Sequence, residues 1–132
     1  MTTSIRIFTD MEQSRMLAEI LPLKTHDAYY IRDDFQKFSI VYGHSIVIDD
    51  ELFSYRHGYR LPAWSFSKLF SMLPQIGADC PMMQKLYYAS EPKERYICLY
   101  GVDLMTGEKV NPVDAVVEMI IKLKEMNILK LN

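Results

Sequence analysis

Apolar positions recur at helical spacing in three short stretches of the chain, each fenced by capping and proline signals. In the first, Met16, Leu17, Ile20 and Leu21 form one face, with Glu12, Gln13, Arg15 and Glu19 outside it. Thr9-Asp10-Met11-Glu12 reads as a capping box with Thr9 at the N-cap, and Pro22 ends the run because a residue before proline is pushed away from helical angles. In the second, Phe66, Leu69, Phe70 and Leu73 stand at i, i+3, i+4 and i+7 behind Pro62-Ala63-Trp64, with Ser65 as the natural cap. Asn111-Pro112 opens the third with an Asn cap and a proline at the first helical position, where no N–H is needed. Its wide apolar arc of Val113, Val116, Val117, Ile120 and Leu123 opposes a polar stripe of Asp114, Glu118, Lys122 and Glu125, in which Glu118 and Lys122 are a favourable i,i+4 pair. This helix is expected to be the main one against a sheet.

Between the helices the pattern shifts to a period of two. Phe38-Ser39-Ile40-Val41-Tyr42 alternates and predicts a strand, which Gly43-His44-Ser45 turns into a hairpin with Ile46-Val47-Ile48. Ala28-Tyr29-Tyr30-Ile31 and Leu52-Phe53-Ser54-Tyr55 are weaker strand candidates. Leu86-Tyr87-Tyr88-Ala89-Ser90 leads through a turn at Glu91-Pro92-Lys93-Glu94 into Arg95-Tyr96-Ile97-Cys98-Leu99-Tyr100. On that strand Tyr96, Cys98 and Tyr100 share one face, and Ile97 and Leu99 the other; both are apolar, which places it inside a sheet rather than at its edge. The expectation is an α+β fold, with an antiparallel sheet of four to five strands packed against three helices, in a single globular domain over residues 1–132. Hairpins interspersed with helices argue against a doubly wound parallel sheet, which needs regular β–α alternation.

A chain of 132 residues can bury a core without metal or disulfide staples. Its nine Tyr, six Phe and nine Met against five Gly suit half-buried strands or a contact surface, since Tyr carries a polar tip and Met adapts its shape. A net charge of -2 creates no global field for nucleic acid or an anionic membrane. Cys80 and Cys98 fit no zinc or CxxC spacing, and unpaired thiols suit a reducing compartment. No apolar run approaches the roughly 20 residues that span a bilayer, and Met1-Thr2-Thr3-Ser4-Ile5-Arg6 is no signal sequence. A soluble cytoplasmic protein is expected.

Candidate chemistry is sparse. His44, His57 and Asp49-Asp50-Glu51 lack metal-ligand spacing, and consecutive acids in an extended segment point to alternating sides, so a solvated turn is the better reading. Cys98, amid Ile and Tyr, reads as a small inert core residue, and no basic neighbour activates Cys80. There is no G-x-S-x-G elbow and no phosphate-cradling glycine loop, and no catalytic residue, metal or cofactor is assigned. The most suggestive surface is Tyr55, Arg56, His57, Tyr59 and Arg60, followed by Trp64. Aromatics interleaved with arginine suit a protein interface, or base stacking with phosphate contact. The plainer reading is a connecting loop whose aromatics pack back onto the core.

Three segments together, Thr9-Asp10-Met11-Glu12-Gln13-Ser14 with Leu17-Ala18-Glu19-Ile20-Leu21-Pro22, then Pro62-Ala63-Trp64-Ser65, then Asn111-Pro112-Val113-Asp114-Ala115-Val116-Val117-Glu118-Met119-Ile120, carry a resemblance. The chain resembles a family of small uncharacterised proteins encoded by phages and mobile elements of gut bacteria. The resemblance implies a genomic setting in the bacterial cytoplasm, and no activity or catalytic residue; residues 24–60 take no part in it. With reaction motifs missing, the expectation is a non-enzymatic accessory protein that binds another protein or its own copies, and the alternative is a single-stranded nucleic-acid-binding protein. An exposed apolar patch of a few hundred Å² would favour the first, and a wholly polar surface would count against it.

Overall fold

Strand pairing follows the alternation of the sequence more closely than its turns. A computed structural model describes residues 6–32, 38–42, 47–48, 51–52, 60–90 and 93–129. In chain order they form α1 (Met11–Ile20), a 3-10 turn (Leu23–Thr25), β1 (Ala28–Arg32), β2 (Phe38–Tyr42), β3 (Val47–Ile48), β4 (Glu51–Leu52) and β5 (Arg60–Ala63). They continue with α2 (Phe66–Ser71), β6 (Met82–Tyr88), β7 (Lys93–Tyr100), β8 (Leu104–Met105) and α3 (Pro112–Glu125). The fold is α+β, and every strand pairing among the described residues is antiparallel.

The single sheet of four to five strands gives way to two three-stranded sheets, β2-β1-β5 and β6-β7-β8, with β3 and β4 paired to each other. The difference has a local cause. β2 pairs back onto β1, Ala28 opposite Tyr42 and Arg32 opposite Phe38, rather than forward onto residues 46–48. The other side of β1 is taken by β5, which puts Pro62 opposite Tyr29. Proline has no N–H for a ladder and is tolerated on an edge strand, so a segment that reads as the approach to a helix serves as an edge.

Contacts divide the chain into two compact units, one of Phe8–Lys68 and the other of Leu69–Lys130 with Met1–Ile7. In the first, α1 begins one residue later than the Thr9 cap reading. Asp10 is the N-cap: its carboxylate accepts from Gln13 N at 2.7 Å, and Gln13 Oε1 accepts from Asp10 N at 2.9 Å. Thr9 is drawn inward instead. Its hydroxyl lies 2.7 Å from the buried Ser14 hydroxyl and accepts from Trp64 N at 3.2 Å, while Thr9 N donates to Trp64 O at 2.9 Å. The inner line of α1 is therefore Ser14, Leu17 and Leu21, and Met16 is exposed. A second polar tie organises the entry to α2. Asp27 accepts from Ser65 N at 2.8 Å and from Ser65 Oγ at 2.5 Å, and Ser65 Oγ caps the helix by accepting from Lys68 N at 3.1 Å.

In the second unit, α3 buries Val113, Ala115, Val116, Val117, Met119, Ile120 and Leu123. It packs on β7, whose Tyr96, Cys98 and Tyr100 are buried. β7 is central in its sheet, as its two apolar faces require. Asn111 caps through its backbone alone, since its Oδ1 accepts from Arg6 N at 2.9 Å, and the Arg6 guanidinium pairs with Asp114. Glu118 accepts from Lys109 Nζ at 3.0 Å and from Gly107 N at 2.7 Å. Partial burial pushes its carboxyl up, but the Lys109 ammonium, the Gly107 N–H and the charge of Lys122 together hold it below the usual range.

Two measurements check these ties. Thr9→Val keeps the shape of the side chain and orphans Trp64 N and the Ser14 hydroxyl, so the urea midpoint should fall by the equivalent of about 1–3 kcal/mol with an unchanged m-value. Because the Glu118 pKa is lowered on folding, its contribution is present above the unfolded value and is lost as pH falls through the folded one. The stability advantage of the wild type over Glu118→Gln should hold at neutral pH and vanish in acid below the ordinary glutamate pKa.

Candidate functional site

Of the aromatic–arginine cluster, only Arg60 and Trp64 are among the described residues. Tyr55, Arg56, His57 and Tyr59 lie outside the described residues, as do His44, Asp49 and Asp50. Arg60 is placed by its backbone in β5, opposite Ile31. Trp64 belongs to the core: it is 0% exposed, and its indole Nε1 donates to Thr25 Oγ1 at 3.0 Å. Thr25 Oγ1 in turn donates to Pro22 O at 2.6 Å, so the ring is fixed at both its backbone and its tip. A fully enclosed indole presents no face to a base or a partner, and Trp64 is removed from the candidate binding surface.

Other reactive groups have structural settings. His26 is buried with a ring nitrogen against the Leu23 carbonyl. Burial drives the Cys98 thiol up to about 11, so it stays protonated at neutral pH, whereas Cys80 is exposed. Tyr100 is likewise pushed up to about 12 by burial, and its hydroxyl donates to Pro74 O at 2.7 Å. Among the described residues no group of three or more His, Cys, Asp or Glu side chains is arranged to hold a metal ion, and no helix is long and apolar enough to cross a membrane.

What stands out is the sheet β6-β7-β8. The register sets Met82 opposite Leu99, Gln84 opposite Ile97, Leu86 opposite Arg95 and Tyr88 opposite Lys93, all on one face. Met105, opposite Leu99 from the other side, extends that face. The face directed at α3 is buried at Tyr96, Cys98 and Tyr100, but this one leaves Leu86, Ile97 and Leu99 only half-buried. Around them Met82, Tyr88 and Met105, together with Val102 in the turn after β7, are 40% to 84% exposed, and Tyr87, opposite Glu94 on the other face, is 65% exposed. Exposed Met and Tyr beside half-buried Leu and Ile are what adaptable contact surfaces contain.

Polar groups share the face: Gln84 lies between Met82 and Leu86, and Arg95 and Lys93 stand opposite Leu86 and Tyr88. The Tyr88 hydroxyl donates to Glu108, and that hydrogen bond, with some burial, raises the phenol above its ordinary range. On the reverse face Lys85 Nζ and Glu94 Oε1 are 2.9 Å apart, and Tyr96 OH donates to Glu94 Oε2 at 3.1 Å. The hydrogen bond and charge of Glu94 raise Lys85, and the bonds from Lys85 and Tyr96 lower Glu94, so both stay ionised and mutually neutralised.

No protein-family model, curated protein or solved structure matches the chain. The surface therefore rests on its own geometry. Sequence reading placed the second hairpin correctly but began its first strand at Leu86, missing Met82–Lys85. The local pattern hid them: Met82-Met83-Gln84-Lys85 has two apolar residues followed by two polar ones, with no period-two alternation to mark a strand.

The contrast between the two thiols is measurable. Iodoacetamide at pH 8 should leave Cys98 unmodified in the folded chain, and mass spectrometry should find its adduct only after urea unfolding; rapid labelling of native Cys98 would contradict its burial.

Proposed function

We propose that this chain is a non-enzymatic accessory protein of a phage or mobile element that acts in the bacterial cytoplasm by binding protein through the β6-β7-β8 sheet. The observation that carries this reading is the run of exposed Met82, Tyr87, Tyr88, Val102 and Met105 on and around one sheet. Such side chains dominate contact surfaces because they bury large area with few polar groups to satisfy. The setting rests on the resemblance of the three capped segments to phage and mobile-element proteins. Nucleic-acid binding is the weaker reading, since burial of Trp64 takes away its largest stacking ring and no global positive charge replaces it.

The test compares capture by the tagged wild type and by Met82→Asp/Met105→Asp from phage- or element-carrying host cells. Both changes put a carboxylate on the exposed face without touching a buried residue. A specific co-purifying protein should be depleted about tenfold or more with the variant, while circular dichroism stays unchanged. Equal recovery with both proteins would place binding elsewhere and end this reading.

A further inference from the structure

β6 is the outer strand of its sheet, paired on one side to β7 through all seven residues Met82–Tyr88 without a bulge. Among the described residues no strand pairs with its other side. Natural edge strands are normally blunted by charges, proline, bulges or shortness. Two other outer strands are blunted, since β5 carries Pro62 and β8 has only two residues, while β2, five residues without charge or proline, is as bare as β6 but shorter. β6 has neither device, and its one charge, Lys85, is already neutralised by Glu94 of the same chain. Its outer edge therefore offers backbone donors and acceptors, apolar side chains and no unbalanced charge.

An occupant of such an edge needs to be an extended, uncharged-in-sum strand, and β6 itself meets that description. We propose that a second copy of the chain is the partner: two β6 strands pair antiparallel about a two-fold axis at Gln84, joining two three-stranded sheets into one continuous sheet. This rests on the reading of the sheet as a protein-binding surface and names its occupant. The register proposed here keeps like charges apart and sets apolar residues opposite each other. A two-fold axis perpendicular to the sheet keeps residues of the same parity on one face. Centring on Lys85 would set two ammonium groups opposite each other. Sliding to Gln84 sets Gln84 against Gln84 of the second copy, and Met82 against Leu86 of the second copy, twice by symmetry. Exposed Met82 thereby covers half-buried Leu86 on the open face.

Sedimentation equilibrium of the full chain should show a concentration-dependent dimer over roughly 1–100 µM. Gln84→Lys should weaken it about tenfold, by placing two new cations opposite each other, and should leave the thermal midpoint of the dilute monomer unchanged. Mixing Gln84→Lys with Gln84→Glu should restore the dimer, since the opposed charges now attract. In a Cys80→Ser background, oxidised Gln84→Cys should cross-link to a dimer, because directly opposed antiparallel residues fall within disulfide reach, and Met82→Cys should not. A chain that stays monomeric throughout this range would overturn the proposal, as would a dimer indifferent to position 84. If the monomer still captured a host or phage protein in a manner sensitive to Met82→Asp/Met105→Asp, the protein-binding reading would stand with a foreign occupant.

Discussion

The packing of α3 against one side of β7 sets the character of the second unit. Val113, Val116, Met119, Ile120 and Leu123 are among the least exposed residues of the chain, and the Tyr96, Cys98 and Tyr100 face of β7 is buried. Burial of that kind is worth roughly 25 cal/mol for each Å² of apolar surface removed from water, which is why a short sheet can be held by one helix. The same helix can cover only one side. With α3 on the even-numbered residues of β7, the odd-numbered ones and their neighbours on β6 and β8 keep their apolar side chains near solvent, and the exposed apolar face is a consequence of the core.

The first unit is organised differently, by hydrogen bonds that tie distant segments at a few points. Thr9 meets Trp64 through both backbone and side chain, Tyr30 OH donates to Thr9 O at 2.6 Å, and Asp27 holds Ser65. Polar groups buried without such partners would be destabilising, so these residues are committed to each other and cannot also serve a ligand. This accounts for Trp64: an indole that completes a buried network is a core residue whatever motif surrounds it.

Helices were legible because their signals are local. Pro22, the Ser65 cap and Asn111-Pro112 act within a turn or two of where they stand, and the elements begin and end near them. The one-residue displacement of the first cap came from a long-range partner, since Thr9 had a better use against Trp64 and Asp10 was at hand. Strand partners were less legible. Period-two alternation marks Phe38–Tyr42 as a strand but does not say whether it turns forward or back, and Pro62 disguised an edge strand as a helix approach. The exposed sheet surface was invisible for the same reason: Met82 and Tyr88 look like any apolar residues until the register puts them on the side that α3 does not reach.

The second sheet is a meander: β6, β7 and β8 follow one another in the chain, β7 pairing with β6 and β8 with β7. Contacts between near neighbours in sequence close quickly, whereas the β1–β5 pairing must first bring together segments separated by three other strands. α3 follows β6, β7 and β8 in the chain and so leaves the ribosome after them. The hairpin of β6 and β7 can therefore form while both of its faces are still bare, and for that interval the Tyr96-Cys98-Tyr100 side is as open as the Met82-Leu86-Tyr88 side. Arrival of α3 chooses between them, turning a symmetric ribbon into one with an inside and an outside, and it does so after the strand edge is already available.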